Sequence, residues 1–124
     1  LTPEAMDRAV EALGVCADKL CRRRVGLARS VATEACRRAA NGRHFIERVR
    51  KETGIALEII PPQEEARLAV LGCHKLLEPG DGPAIIFDIG GGSTELVLVE
   101  PGGEDSQPRI KAWWSAPWGV VSLT

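Results

Sequence analysis

Hydrophobic residues recur at helical spacing at the start of the chain, where Met6, Ala9, Val10, Leu13, Ala17 and Leu20 fall on one face. Thr2 supplies an N-cap hydroxyl and Pro3 a first-turn proline, so the pattern predicts a helix over about residues 3 to 22. Arg22 to Arg24 then sit at its C-terminal end, where the helix dipole favours a solvated cationic cluster. Strand character rises over about Leu27 to Ala32, and "EACRRAANG" reads as a short helix stopped by Asn41-Gly42. A further helix turns Phe45, Ile46 and Val49 inward and ends at Gly54, expected in the left-handed conformation. "IALEII" predicts a strand, closed by Pro61-Pro62. The same prolines open a helix from about Pro62 to Leu77, with Leu68, Leu71, Gly72 and Leu76 as its expected apolar stripe.

After the linker signal "EPGDGP", Glu78 to Pro83, the pattern changes from alternating helix and strand to consecutive short strands. These are expected at Ala84 to Asp88, Glu95 to Glu100 and Arg109 to Trp114, the last with Ile110, Ala112 and Trp114 on one face. "PGGEDSQP" reads as the turn between the second and third. The fold class is α/β, with an expected division into residues 1–79 and a three-stranded antiparallel meander over 80–124.

Composition narrows the function classes. The 124 residues are 44% hydrophobic and 27% charged with a net charge of −1, which gives no bulk attraction for nucleic acid. No apolar stretch approaches the ~20 residues of a membrane span, so the expectation is a cytoplasmic chain without a membrane partner. It opens without a methionine and stops in "WGVVSLT", which reads as a segment of something longer. Cys16, Cys21, Cys36 and Cys73 lack zinc-site spacing and are expected to be free, mostly buried thiols. His44 and His74 are too scattered for a metal cluster.

The stretch "FDIGGGSTEL", Phe87 to Leu96, carries the chemistry. It joins two expected strands as a tight hairpin. Successive glycines can turn several N–H groups toward one point as an anion nest and lack the Cβ atoms that would block a phosphate. Gly90, Gly91 and Gly92 are the expected backbone donors, and Ser93 and Thr94 add hydroxyls. Asp88 faces the same place, and its charge beside phosphate calls for an intervening hard cation such as Mg²⁺ or another divalent ion. Glu95 either supports that ion or is an exposed strand residue. The loop is not a G-x-x-x-x-G-K-[ST] type, because the lysine is missing and a strand follows.

Three segments in order, "ATEACRRAAN", "EIIPPQEEARLAVLG" and "DIGGGSTEL", resemble the exopolyphosphatase/guanosine pentaphosphate phosphatase (Ppx/GppA) family of the actin, Hsp70 and sugar-kinase superfamily. The resemblance implies ribonuclease-H-like domains, this chain holding the end of one and the first strands of the next. It implies release of terminal phosphate from inorganic polyphosphate or guanosine pentaphosphate, with a homodimer among the expected assemblies. It also implies that Glu65 aligns or deprotonates the attacking water and that Arg37, the motif arginine, clamps a phosphate. Spacing read by itself also allows Glu64 and Glu65 to be helix N-terminal carboxylates and Asn41 to be a helix stop. Two departures stand out: Pro61-Pro62 replaces the usual Ser-Gly, and the family's first phosphate loop, of D-I-G-S-N-S type, is absent. A sugar-kinase or actin-like ATPase and a non-catalytic phosphate-compound sensor are the alternative classes.

Overall fold

The structure, a computed structural model, describes residues 1–77, 82–102 and 108–122. In chain order it contains α1 (Pro3–Arg22), β1 (Ser30–Ala32), α2 (Glu34–Arg38), α3 (Gly42–Thr53), β2 (Leu57–Ile59) and α4 (Pro62–Cys73). A 3-10 turn (His74–Leu76) precedes β3 (Ala84–Ile89), β4 (Thr94–Glu100) and β5 (Arg109–Ala116). Linker residues 78–81 and turn residues 103–107 lie outside the described residues. The chain forms two compact units, Leu1–Ile60 and Pro61–Thr124, and α4 lies in the second.

In the first unit, Thr2 caps α1 by accepting from the Ala5 N–H at 3.2 Å, and Gly54 ends α3 at φ 76. Met6 and Val10 of α1 bury against Phe45 and Val49 of α3 and Ile55, with Ala9, Leu13, Ala17 and Ile46 packed around them. Arg48 ties the two helices at the surface, reaching Asp7 and Glu52 at 2.7 Å each. β1 and β2 pair in parallel, with Val31 opposite Glu58. Parallel strands need a crossover, here made by α2 and α3.

In the second unit, β3, β4 and β5 form an antiparallel meander in that order. Ala84, Ile86, Val97, Val99 and Ile110 pack with Ala66, Val70, Cys73 and Leu77 of α4 and its extension. The buried stripe of α4 thus differs from the expected Leu68, Leu71, Gly72 and Leu76: Ala66 and Val70 are 1% exposed, while Leu76 is 83% exposed. Small residues at i and i+4 let the helix axis approach the sheet closely, which larger leucines would prevent. A second correction concerns β5. Val99 pairs with Ile110 but Leu98 pairs with Ala112, so a bulge at Lys111 puts Ile110 on the helix-covered face and Ala112 and Trp114 on the other. Ile85, Phe87, Ile89 and Trp114 leave that other face apolar and exposed.

All four cysteines are free as expected, but they are not mostly buried: Cys16 and Cys21 are exposed, and Cys36 and Cys73 are half-buried. No helix among the described residues is long and apolar enough to cross a membrane.

Candidate functional site

The glycine loop is the turn of the β3–β4 hairpin, between the paired residues Ile89 and Thr94. The Gly90 N–H closes the turn by donating to Ser93 O at 2.9 Å. The Thr94 hydroxyl donates to Trp118 O at 2.7 Å. Ser93 is buried at 4% exposure. The loop is not a nest of alternating right- and left-handed residues, because neither Gly90 nor Gly91 has positive φ.

What orients its peptides is a second turn, at Trp118 to Ser122. The Val120 N–H donates to Gly90 O at 3.0 Å and the Val121 N–H to Gly91 O at 2.9 Å. Gly119 makes this approach possible, since a Cβ there would lie 2.5 Å from Gly90 O and 2.6 Å from Gly91 O. Sequence reasoning missed this turn. One glycine in "APWGVVS" does not by itself name the backbone it will touch.

Asp88 and Glu95 are directly opposite in the β3–β4 register, immediately before and after the loop. Alternation puts both on the face that carries Ile86 and Val97, toward α4. Glu95 is no exposed strand residue: it is 1% exposed, and its Oε1 accepts from Ser115 Oγ at 2.8 Å. Ser115 was also missed, because its position opposite Glu95 depends on the β5 bulge. Like carboxylates facing each other across strands repel, and a buried carboxylate is costly without a compensating partner. A hard cation answers both costs and suits two oxygen donors. Among the described residues no third His, Cys, Asp or Glu joins them to make a larger ligand group.

Glu65 lies half-buried on the first turn of α4, in the same unit as the loop. Pro61 occupies the N-cap and Pro62 the first turn, where the missing N–H is not needed, and the Glu64 and Glu65 N–H groups donate to Pro61 O at 3.0 and 3.1 Å. Glu64, also half-buried, pairs with Arg67 at 2.7 Å. Ala66, next to Glu65, is anchored in the cluster that holds Ile86 and Val97.

Arg37 belongs to the first unit. Its guanidinium donates to Ile60 O at 2.6 Å and to Glu34 at 2.8 Å, which fastens the end of β2. Arg37 and Arg43 line an open cavity of about 440 Å³ with Cys36 and Ile59. Arg38 is exposed and lies 3.5 Å from the same Glu34. Asn41 stands at the N-cap of α3 without a side-chain cap bond, and its Nδ2 donates to Leu1 O at 2.8 Å.

The sequence model described as Ppx/GppA phosphatase family matches residues 1–124. The chain belongs to the Ppx/GppA phosphatase family. It is 34% identical over all its residues to exopolyphosphatase 1 of Mycobacterium leprae, covering 35% of that protein. Against exopolyphosphatase 1 of Mycobacterium tuberculosis (strain H37Rv) it is 38% identical over 93 residues, 75% of this chain and 25% of the relative. The crystal structure of an exopolyphosphatase from Cytophaga hutchinsonii superposes with a TM-score of 0.87 at 31% identity, over 99% of this chain and 38% of the other. The Aquifex aeolicus Ppx/GppA family member gives 0.77 at 33% identity, covering 99% and 38%. The fold is therefore the α/β, ribonuclease-H-like fold of the Ppx/GppA family. The chain matches between a quarter and little more than a third of the length of these relatives.

Proposed function

We propose that the chain is part of a phosphohydrolase that releases terminal phosphate from inorganic polyphosphate, guanosine pentaphosphate or both by attack of water. The observation that carries this reading is at Gly91. Its backbone is not left-handed, and an ideal Cβ would meet only Val121 Cγ2, at 3.5 Å. The hairpin does not itself demand a glycine there, so the bare backbone is explained by close approach of a ligand. The ligand is anionic, because the amides of Gly91 and Gly92 face away from the carbonyls fixed by the second turn.

In this reading Asp88 and Glu95 hold Mg²⁺ or another divalent ion, which supplies charge neutralisation for the phosphoryl oxygens when bound. Glu65 positions the water and takes its proton. Phosphoryl transfer requires little from a protein beyond in-line positioning and charge stabilisation. Residues 1–79 are read as the end of one domain of the longer protein and residues 80–124 as the start of the next. A cytoplasmic, homodimeric parent belongs to the same proposal. Phosphate release from both substrates by the full-length protein, with Mg²⁺ and with EDTA, is the test. Release that requires the metal supports the reading. Tight binding of either compound without release would replace it with a sensor.

A further inference from the structure

We infer that the turn Trp118 to Ser122 is a positioning element for the glycine loop, acting through Gly119 and Thr94, and that it sets which way the loop amides face. The inference rests on the phosphate reading of the loop and adds a part that the three motifs do not contain. A trans peptide holds its C=O and N–H on opposite sides, and the described chain has no cis bond. The Gly90 carbonyl accepts from Val120 and the Gly91 carbonyl from Val121. The N–H groups of the same two peptide units, those of Gly91 and Gly92, are therefore both turned to the side away from the second turn. Two adjacent amides on one side make a cradle for a phosphoryl oxygen.

Without those ties, consecutive glycines would sample many conformations, and a flipped peptide would present a carbonyl dipole to the anion. Two features hold the ties in place. Gly119 has no side chain where a Cβ would lie 2.5 Å from Gly90 O, closer than real Cβ atoms come to a neighbour. Thr94, at the start of β4, anchors the other end by donating to Trp118 O at 2.7 Å. The turn is braced internally as well: Ser122 Oγ accepts from the Gly119 N–H at 2.7 Å, and the Ser122 N–H donates to Gly119 O at 3.1 Å. Gly119 and Thr94 are thus positioning residues, since both act on the ligand through the amides of the loop.

The test is a titration of the ¹⁵N-labelled chain with inorganic tripolyphosphate and Mg²⁺, read residue by residue. The Gly91 and Gly92 amides should shift with added tripolyphosphate, while Gly90, occupied by Ser93 O, responds least. Thr94→Val keeps the shape of the side chain but loses the donor, and should weaken binding at least about tenfold. Thr94→Ser should restore it. Gly119→Ala should weaken binding as much, and if that variant does not fold, the Thr94 pair decides the matter. Binding by the wild type with Thr94→Val equally tight overturns the positioning role and leaves the phosphate reading standing. No response at Gly91 and Gly92 in the wild type overturns that reading and this inference with it.

Discussion

Ser115 Oγ donates to Glu95 Oε1 at 2.8 Å from the neighbouring strand, and Glu95 is 1% exposed. This bond compensates one oxygen of a carboxylate that is otherwise shut away from water, and it holds the group at the hairpin end opposite Asp88. Ser115→Ala should therefore lower stability by about 1.5–3 kcal/mol, the range for a hydrogen bond to a charged group. Added Mg²⁺ should recover part of that loss if Asp88 and Glu95 hold the ion, because a ligand bound only by the folded state stabilises it. Thermal melts with and without Mg²⁺ measure both. A variant that melts with the wild type shows that the bond does not support Glu95.

Glu65 and Glu64 are adjacent on the first turn of α4, and Glu64 pairs with Arg67 at 2.7 Å. In the full-length protein, Glu65→Gln should keep substrate binding and lower turnover by at least about 10²-fold, the usual contribution of a positioned base. Glu64→Gln should change turnover little. Steady-state phosphate release gives both numbers, and a fall in kcat with KM unchanged is the pattern of a group needed in the transition state. Equal turnover of Glu65→Gln and wild type would remove Glu65 from the chemistry.

Arg37 offers a separate test of structure against binding. Its bond to Ile60 O fastens the end of β2, and its ion pair with Glu34 is largely buried, at 19% and 17% side-chain exposure. Arg37→Leu removes both the bond to Ile60 O and the closer cation on Glu34, so it should destabilise the chain by about 1.5–3 kcal/mol. Arg38→Leu, at an exposed position on the same Glu34, should cost about 1 kcal/mol or less. Urea unfolding of the two variants compares them directly, and equal midpoints would contradict the anchoring role of Arg37.

Local signals in the sequence were legible where local physics decides the outcome. Thr2-Pro3 starts α1, Gly54 ends α3, and the strands expected on either side of the glycine loop pair as the β3–β4 hairpin. Long-range choices were not legible. The stripe of α4 uses Ala66 and Val70 because the sheet rewards close approach, and helical periodicity fits the leucines equally well. The bulge at Lys111 leaves no mark in the hydrophobic pattern, and it decides that Ser115 meets Glu95. Arg37 matched a motif position, but only coordinates reveal that its guanidinium is used by Ile60 and Glu34.

Burial pushes the Cys36 thiol above its ordinary value, outweighing a smaller lowering by the N-terminal charge. A raised thiol is neutral in the folded chain where the unfolded chain already ionises. The stability it contributes is whole below the unfolded value of 9.0 and is lost as pH rises through the folded one. The thiolate is the reactive form. Iodoacetamide near pH 8 should therefore modify the exposed Cys16 and Cys21 first and Cys36 much later, a difference that urea should abolish. Peptide mapping by mass spectrometry follows each site, and early modification of Cys36 would contradict its burial.

Gly91 separates the demands of the turn from those of the ligand. Its φ lies outside the left-handed region, and an added Cβ would make only ordinary van der Waals contact with Val121 Cγ2 at 3.5 Å. Gly91→Ala should then leave stability unchanged or raise it by about 0.4–1 kcal/mol, because alanine restricts the unfolded chain where the native backbone accepts it. On the proposed reading a phosphoryl group packs against this bare backbone, and an added methyl group would crowd it. Affinity for Mg²⁺-tripolyphosphate should fall at least tenfold, about 1.4 kcal/mol. Calorimetric melting and ligand titration on one purified sample give the two numbers side by side. A lowered melting temperature with affinity intact would show that the glycine answers to the hairpin, and the loop would lose its claim to a phosphate.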